Sequence, residues 1–142
     1  MPTRKASATW EGGLKAGEGS FRGASGAIDA PYSYGTRFGS DPGTNPEELL
    51  AAAEAACFSM ALAFALEKEG KPPTRIRTEA ACTIEEKGGG YQITKMKLVT
   101  RGNVPGVDEG LFKRLALATK DGCPVSKALK GNLEFELDAA LD

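Results

Sequence analysis

The sequence predicts an α+β fold in which antiparallel sheets surround one long, buried central helix. Three observations predict it. Residues 5–10 and 75–85 alternate polar and apolar side chains with the period of two that a half-buried strand requires. Residues 46–69 form an alanine-rich apolar run too long for a strand, with a clear helical start and stop. The order of elements, β-β-β-α-β-β-α-α-β, groups strands and helices rather than alternating them, which favours helices packed on antiparallel sheet.

In chain order, residues 4–40 read as a glycine-punctuated β region. Ala6, Ala8 and Trp10 alternate with Lys5, Ser7 and Thr9, and Glu11-Gly12-Gly13 supplies a turn. Two more extended segments are expected over residues 19–24 and 33–38, before Asp41-Pro42-Gly43 breaks the pattern. Asn45 then reads as a helix N-cap, with Pro46 at the first helical position and Glu48 at capping-box spacing. Glu47 and Glu48 suit the positive end of the helix dipole. Gly70 ends the helix, and Pro72-Pro73 prevents its continuation. Residues 49–66 are apolar nearly all round, which predicts a buried helix, and its alanines allow other backbones to approach closely.

Two strands follow, joined by Gly88-Gly89-Gly90. Ile76, Thr78, Ala80, Cys82 and Ile84 share one face of the first; Arg75, Arg77, Glu79 and Glu85 share the other. The second, over residues 91–101, changes phase between Ile93 and Met96, as a β-bulge would require. A helix is expected from Asp108, with Leu111, Leu115 and Ala118 as its stripe and Phe112 beside it. Gly122 ends it, Pro124 opens a short helix through Leu129, and Leu133, Phe135 and Leu137 mark a last strand.

The 142 residues make one domain's worth of chain, 1–142, long enough to bury roughly two-thirds of the unfolded surface. With 41% hydrophobic and 26% charged residues and a net charge of −1, the chain carries no basic footprint for nucleic acid or an anionic membrane. A membrane span over residues 49–66 is disfavoured by Glu54 within it and by Glu47, Glu48, Glu67 and Glu69 around it. The first residues show no apolar signal core, so a cytoplasmic location is expected. There is no histidine. Ser-His-Asp and Cys-His catalysis and histidine-ligated metal are therefore excluded, and sulfur is the leading nucleophile. Three cysteines without a Cys-x-x-Cys pair argue against a disulfide framework or a zinc site.

The three cysteines read differently. Cys82 shares a strand face with Ile76 and Ile84 and is expected to pack as a small hydrophobe. Cys57 lies mid-helix, where composition alone reads it as core and reactivity would need a nearby cation. Arg37 is a candidate for that cation, and equally a surface residue. Glu47 could orient an arginine by a bidentate pair, or merely decorate a helix start. Cys123 lies at or just before a helix start, where backbone N–H groups favour a thiolate, and the following Pro124 is expected to leave its sulfur exposed. Ten helical residues separate Glu47 from Cys57 by about 15 Å. One site using both needs other parts of the fold, or a second subunit, to bridge that gap.

Together these segments resemble the OsmC/Ohr family, the osmotically inducible protein C and organic hydroperoxide resistance proteins. The matching text is Gly43-Thr44-Asn45-Pro46-Glu47-Glu48-Leu49, Ala55-Ala56-Cys57-Phe58-Ser59-Met60-Ala61-Leu62, Ile93-Thr94-Lys95, Val104-Pro105-Gly106 and Gly122-Cys123-Pro124-Val125-Ser126. Trp10-Glu11-Gly12 and Tyr34-Gly35-Thr36-Arg37-Phe38 resemble the OsmC branch. The resemblance implies an entwined homodimer and a thiol-dependent peroxidase of the stress response acting on organic hydroperoxides, with hydrogen peroxide as a further candidate substrate. It implies no cofactor and an external dithiol, of lipoyl type, as reductant. By position it makes Cys57 the peroxidatic cysteine and Cys123 the resolving one, and sets Arg37 and Glu47 beside the reactive thiol. Phe58 and Met60 would then suit an alkyl tail, though both also read as core. Two alternatives use the same residues: a general thiol–disulfide oxidoreductase, and a non-enzymatic stress-response dimer whose cysteines only pack.

Overall fold

The computed structural model describes residues 1–142, in which six strands form two three-stranded sheets. The chain divides into two compact units, Met1–Leu49 and Leu50–Asp142, each with one sheet.

In the first unit, β1 (Ala6–Glu11), β2 (Glu18–Gly23) and β3 (Asp29–Tyr32) pair antiparallel in sequence order. Trp10, Gly19 and Tyr32 stand in register across the sheet, and the two rings meet over the glycine at 5.4 Å. A Cβ on Gly19 would lie 2.6 Å from the Trp10 ring and 2.7 Å from the Tyr32 ring, so only glycine lets them close. The strand expected over residues 33–38 is instead a helical turn, α1 (Tyr34–Phe38), and the third strand precedes it. The cause is a capping box. Ser33 Oγ accepts from Thr36 N at 3.2 Å, and Thr36 Oγ1 accepts from Ser33 N at 2.9 Å. The Ser33–Thr36 spacing thus sets a helical turn where an extended segment is expected.

Helix α2 (Pro46–Lys68) starts as the sequence predicts, with Asn45 Oδ1 accepting from Glu48 N at 2.8 Å. It ends before Gly70, which takes φ +72°. In the second unit, β4 (Arg75–Lys87) and β5 (Gly90–Asn103) form a long hairpin closed by Gly88 and Gly89, both at positive φ. Thr83 pairs with Lys95 but Ile84 with Ile93, so Thr94 bulges within the stretch where the sequence changes phase. Then come α3 (Glu109–Gly122), α4 (Pro124–Leu129) and β6 (Glu134–Leu141).

The fold class is α+β, with one departure from the antiparallel expectation: β6 pairs parallel to β5. Two helices intervene between these strands, and a crossover of that length brings the chain back to enter the sheet in the same direction. The α3 stripe is also turned from the expected one. Phe112, Ala116 and Thr119 are buried, Leu111 and Leu115 flank them, and Ala118 is exposed.

The core of the second unit joins Phe58, Leu62 and Leu66 of α2 to Met96 and Leu98 of β5, and to Phe112 and Ala116 of α3. The expectation that α2 is buried all round holds for one face only. Glu54, Phe58, Leu62 and Leu66 are buried, whereas Ala52 and Ala56 are exposed, with Met60 at 76% and Phe64 at 58%. An all-apolar sequence cannot distinguish a helix covered on every side from one whose second face is left open by its own chain. Ser59 Oγ donates to Thr78 Oγ1 at 2.8 Å, and Thr78 and Thr100 hydroxyls meet at 3.0 Å, which satisfies the polar groups between helix and sheet. By length and composition α2 could cross a membrane. Its buried face is instead part of a packed core and includes Glu54, which makes it the core helix of a water-soluble domain.

Candidate active site

Arg37 occupies the last turn of α1 and Glu47 the first turn of α2, and the two are paired. Arg37 Nη2 donates to Glu47 Oε1 at 2.9 Å, and Nε donates to Oε1 at 3.1 Å and to Oε2 at 3.3 Å. This fork is the strong form of an arginine–carboxylate pair. It is also partly withdrawn from water, the Glu47 side chain being 6% exposed and that of Arg37 36%. Asn45 Nδ2 donates to the Thr36 carbonyl at 2.8 Å and so ties the α2 cap to α1. The guanidinium lies 5.2 Å from the Phe38 ring centre. Arg37 and Phe38 also line a cleft of about 220 Å³ with Trp10, Leu14, Tyr32 and Tyr34.

The sulfurs of Cys57 and Cys123 form the second pairing. Cys57 is half-buried on α2. Cys123 is at once the C-cap of α3 and the N-cap of α4: its N–H donates to the Thr119 carbonyl, and its Sγ accepts from Ser126 N at 3.4 Å. The expectation of an exposed sulfur fails here, because that capping role turns the side chain inward and leaves the residue 1% exposed. Burial, above all, pushes the Cys123 thiol up. Hydrogen bonds from the Ser126 hydroxyl and N–H pull it back down, as a helix start should. A hydrogen bond with the Cys57 thiol and the nearby Glu54 charge push it up further, and the net direction is upward. The two sulfurs are therefore neighbours, although 66 positions separate them in the sequence.

Two residues of this cluster were not singled out in the sequence. Glu54, fully buried one turn before Cys57, accepts from Ser126 Oγ at 2.5 Å and from Cys123 Sγ at 3.5 Å through Oε1. Ser126 is itself buried, with its Oγ 2.9 Å from Cys123 Sγ. The available signal was the single charge between residues 48 and 67, three residues before a cysteine. Phe58, a candidate for an alkyl-tail contact, is fully buried in the core, while Met60 projects outward. Cys82 packs against the core on the β4 face it shares with Ile76 and Ile84.

Comparison with known proteins matches residues 39–138 to the family model described as OsmC-like protein. The chain is 42% identical to peroxiredoxin OsmC of Escherichia coli over 134 residues, 94% of each chain. It is 34% identical over 117 residues, 80% of each chain, to an organic hydroperoxide resistance protein of Xanthomonas axonopodis pv. citri. The crystal structure of an organic hydroperoxide resistance protein from Elizabethkingia anophelis superposes with a TM-score of 0.82 at 27% identity, covering 100% of this chain and 98% of the other.

Proposed function

The chain belongs to the OsmC-like family, and we propose that it serves there as a thiol-dependent peroxidase that reduces organic hydroperoxides in stress defence. The observation that carries this reading is the neighbouring pair of thiols, Cys57 half-buried and Cys123 fully buried beside it. The Cys57 thiolate attacks the outer peroxide oxygen, the O–O bond breaks, and the alkoxide takes a proton and leaves as alcohol. Cys57 is left as a sulfenic acid. Cys123 condenses with it to give a Cys57–Cys123 disulfide and water. An external dithiol, of lipoyl type, restores both thiols by exchange through a mixed disulfide.

Arg37 is assigned the cation beside the thiolate and Glu47 the clamp that orients it. The fork uses Nε and Nη2, which leaves Nη1 for another acceptor. The aromatic cleft beside Arg37 suits the alkyl part of an organic hydroperoxide. The open α2 face with Ala52, Ala56, Met60 and Phe64 supports a homodimer in which two copies of this helix pack together. The cytoplasm is the assigned location, since in that reducing compartment a Cys57–Cys123 disulfide is transient and catalytic.

The test is dithiol-dependent consumption of an organic hydroperoxide by the wild type, Cys57→Ser and Cys123→Ser. Cys57→Ser should show no turnover. Cys123→Ser should form a sulfenic acid yet cycle poorly. Robust turnover by Cys57→Ser would overturn the assignment, and reduction of insulin disulfides without peroxide consumption would favour a general oxidoreductase.

A further inference from the structure

We propose that Glu54 is the general base of the second half-reaction, taking the proton of Cys123, directly or through Ser126, as that sulfur attacks the Cys57 sulfenic acid. The inference rests on the proposed roles of the two cysteines. Its geometry is a closed triangle: Cys123 Sγ to Ser126 Oγ at 2.9 Å, Ser126 Oγ to Glu54 Oε1 at 2.5 Å, and Sγ to Oε1 at 3.5 Å. All three residues are buried. Both donors converge on Oε1, and Oε2 is buried without a hydrogen-bond partner.

Packing does not account for this carboxyl. It stands among alanines on a helix whose neighbouring buried positions are Phe58 and Leu62, and none of the ion pairs involves it. A buried carboxyl without a cation is unfavourable beside an apolar residue of similar volume, so its presence against a reactive sulfur points to chemistry. The need for a base is also visible. A thiol whose ionisation is opposed by burial supplies little thiolate at neutral pH, and the chain has no histidine to accept its proton.

The step balances. The Cys123 S–H bond breaks, its proton passes to Glu54, and the sulfur electron pair forms the bond to Cys57 Sγ. The Cys57 S–O bond breaks, and the departing hydroxide recovers the proton and leaves as water. Glu54 is returned unchanged, ready for the next cycle. It also lies three residues before Cys57 on α2, a spacing that sets the two side chains on neighbouring positions of one helix face.

The test is a single turnover of the reduced full-length chain with one equivalent of cumene hydroperoxide. Dimedone trapping reports the sulfenic acid, and mass spectrometry times the disulfide. In Glu54→Gln, sulfenic acid should form at the wild-type rate while the disulfide forms at least tenfold more slowly, so that the dimedone adduct accumulates. Ser126→Ala should slow the same step two- to fivefold, since the direct sulfur–carboxyl contact remains. Disulfide formation at the wild-type rate in Glu54→Gln overturns the proposal. So does an equal slowing of both steps, which would mark Glu54 as purely structural. If Glu54→Gln does not fold, Glu54→Asp carries the test: the retracted carboxyl should slow only condensation, and an unchanged rate overturns the proposal. If the hydroperoxide yields neither a Cys57 sulfenic acid nor a Cys57–Cys123 disulfide in the wild type, the peroxidase reading itself is overturned.

Discussion

Replacing Arg37 by alanine should strand a carboxylate that water reaches only poorly. Glu47, whose side chain is 6% exposed in the intact pair, would lose all three of its hydrogen bonds to the guanidinium. Breaking a buried ion pair from one side costs about 3–5 kcal/mol. Here the arginine is 36% exposed, so solvent screens the vacated side and the expected loss falls to about 2 kcal/mol. For a chain of this length that lowers Tm by roughly 8 °C. Removing the charge as well, in Arg37→Ala/Glu47→Gln, should recover about 1 kcal/mol, because a neutral amide is less costly to leave buried than a carboxylate. Urea denaturation of both single variants and the double gives the coupling directly. A cost below about 0.5 kcal/mol for Arg37→Ala, with additive behaviour in the double, would show a surface pair and refute the reasoning. The same proteins separate stability from chemistry. Peroxide turnover should stay at least tenfold low in the double variant although part of its stability has returned. Wild-type turnover there would remove Arg37 from the mechanism.

Gly102→Ala should cost about 1–3 kcal/mol by urea denaturation, because its Cβ would lie 2.6 Å from the ring of fully buried Phe112; a change below 0.5 kcal/mol would mean that the ring can retreat. The Cys123 thiol, read by thiolate absorbance in a Cys82→Ala background, should titrate lower in Cys57→Ala and higher in Ser126→Ala. The Cys57 hydrogen bond favours the protonated form and the Ser126 bonds favour the thiolate, so shifts of the same sign would contradict this account. With its pKa raised by folding, this thiol stabilises the native state fully below its ordinary value of 9.0, and that contribution is lost as pH rises through the raised one. Phe64→Asp should convert a dimer to a monomer by sedimentation with the fold retained, since Phe64 is 58% exposed in one chain; a wild type that is monomeric at tens of micromolar would remove the assigned dimer face.

What the sequence made legible was local. Asn45, Pro46 and Gly70 delimit α2 through caps that act within one turn, and the phase change around Thr94 marks a bulge because alternation is a property of neighbouring residues. The Arg37–Glu47 pair was likewise legible as a candidate, since both residue types and their motif positions were suggestive. Misreadings arose where two local signals competed or where a distant partner settled the outcome. At residues 33–38, the extended segment expected from the glycine-punctuated β region gives way to a four-residue capping box. The direction of β6 depends on where α3 and α4 deliver the chain, which no strand pattern encodes. The burial of α2 depends on which face the rest of the chain covers, and Met60 and Phe64 on the open face are as apolar as Phe58 and Leu62 on the buried one.

Cys123 shows how such competition bears on chemistry. Its neighbours Pro124 and Ser126 belong to a helix start, and a helix start read alone predicts an exposed, readily ionised sulfur. The carboxyl that meets this sulfur is 69 residues away in sequence, and it arrives together with the burial that opposes ionisation. The two sulfurs thus differ in the property each proposed step needs. A peroxidatic thiol must be reachable by a substrate, and Cys57 is only half-buried. A resolving thiol gains from concealment, because an exposed one would compete for external oxidants before Cys57 had reacted. Concealment in turn suppresses the thiolate that resolution requires. A buried acceptor in contact with that sulfur reconciles the two demands, and in a chain without histidine Glu54 occupies that position.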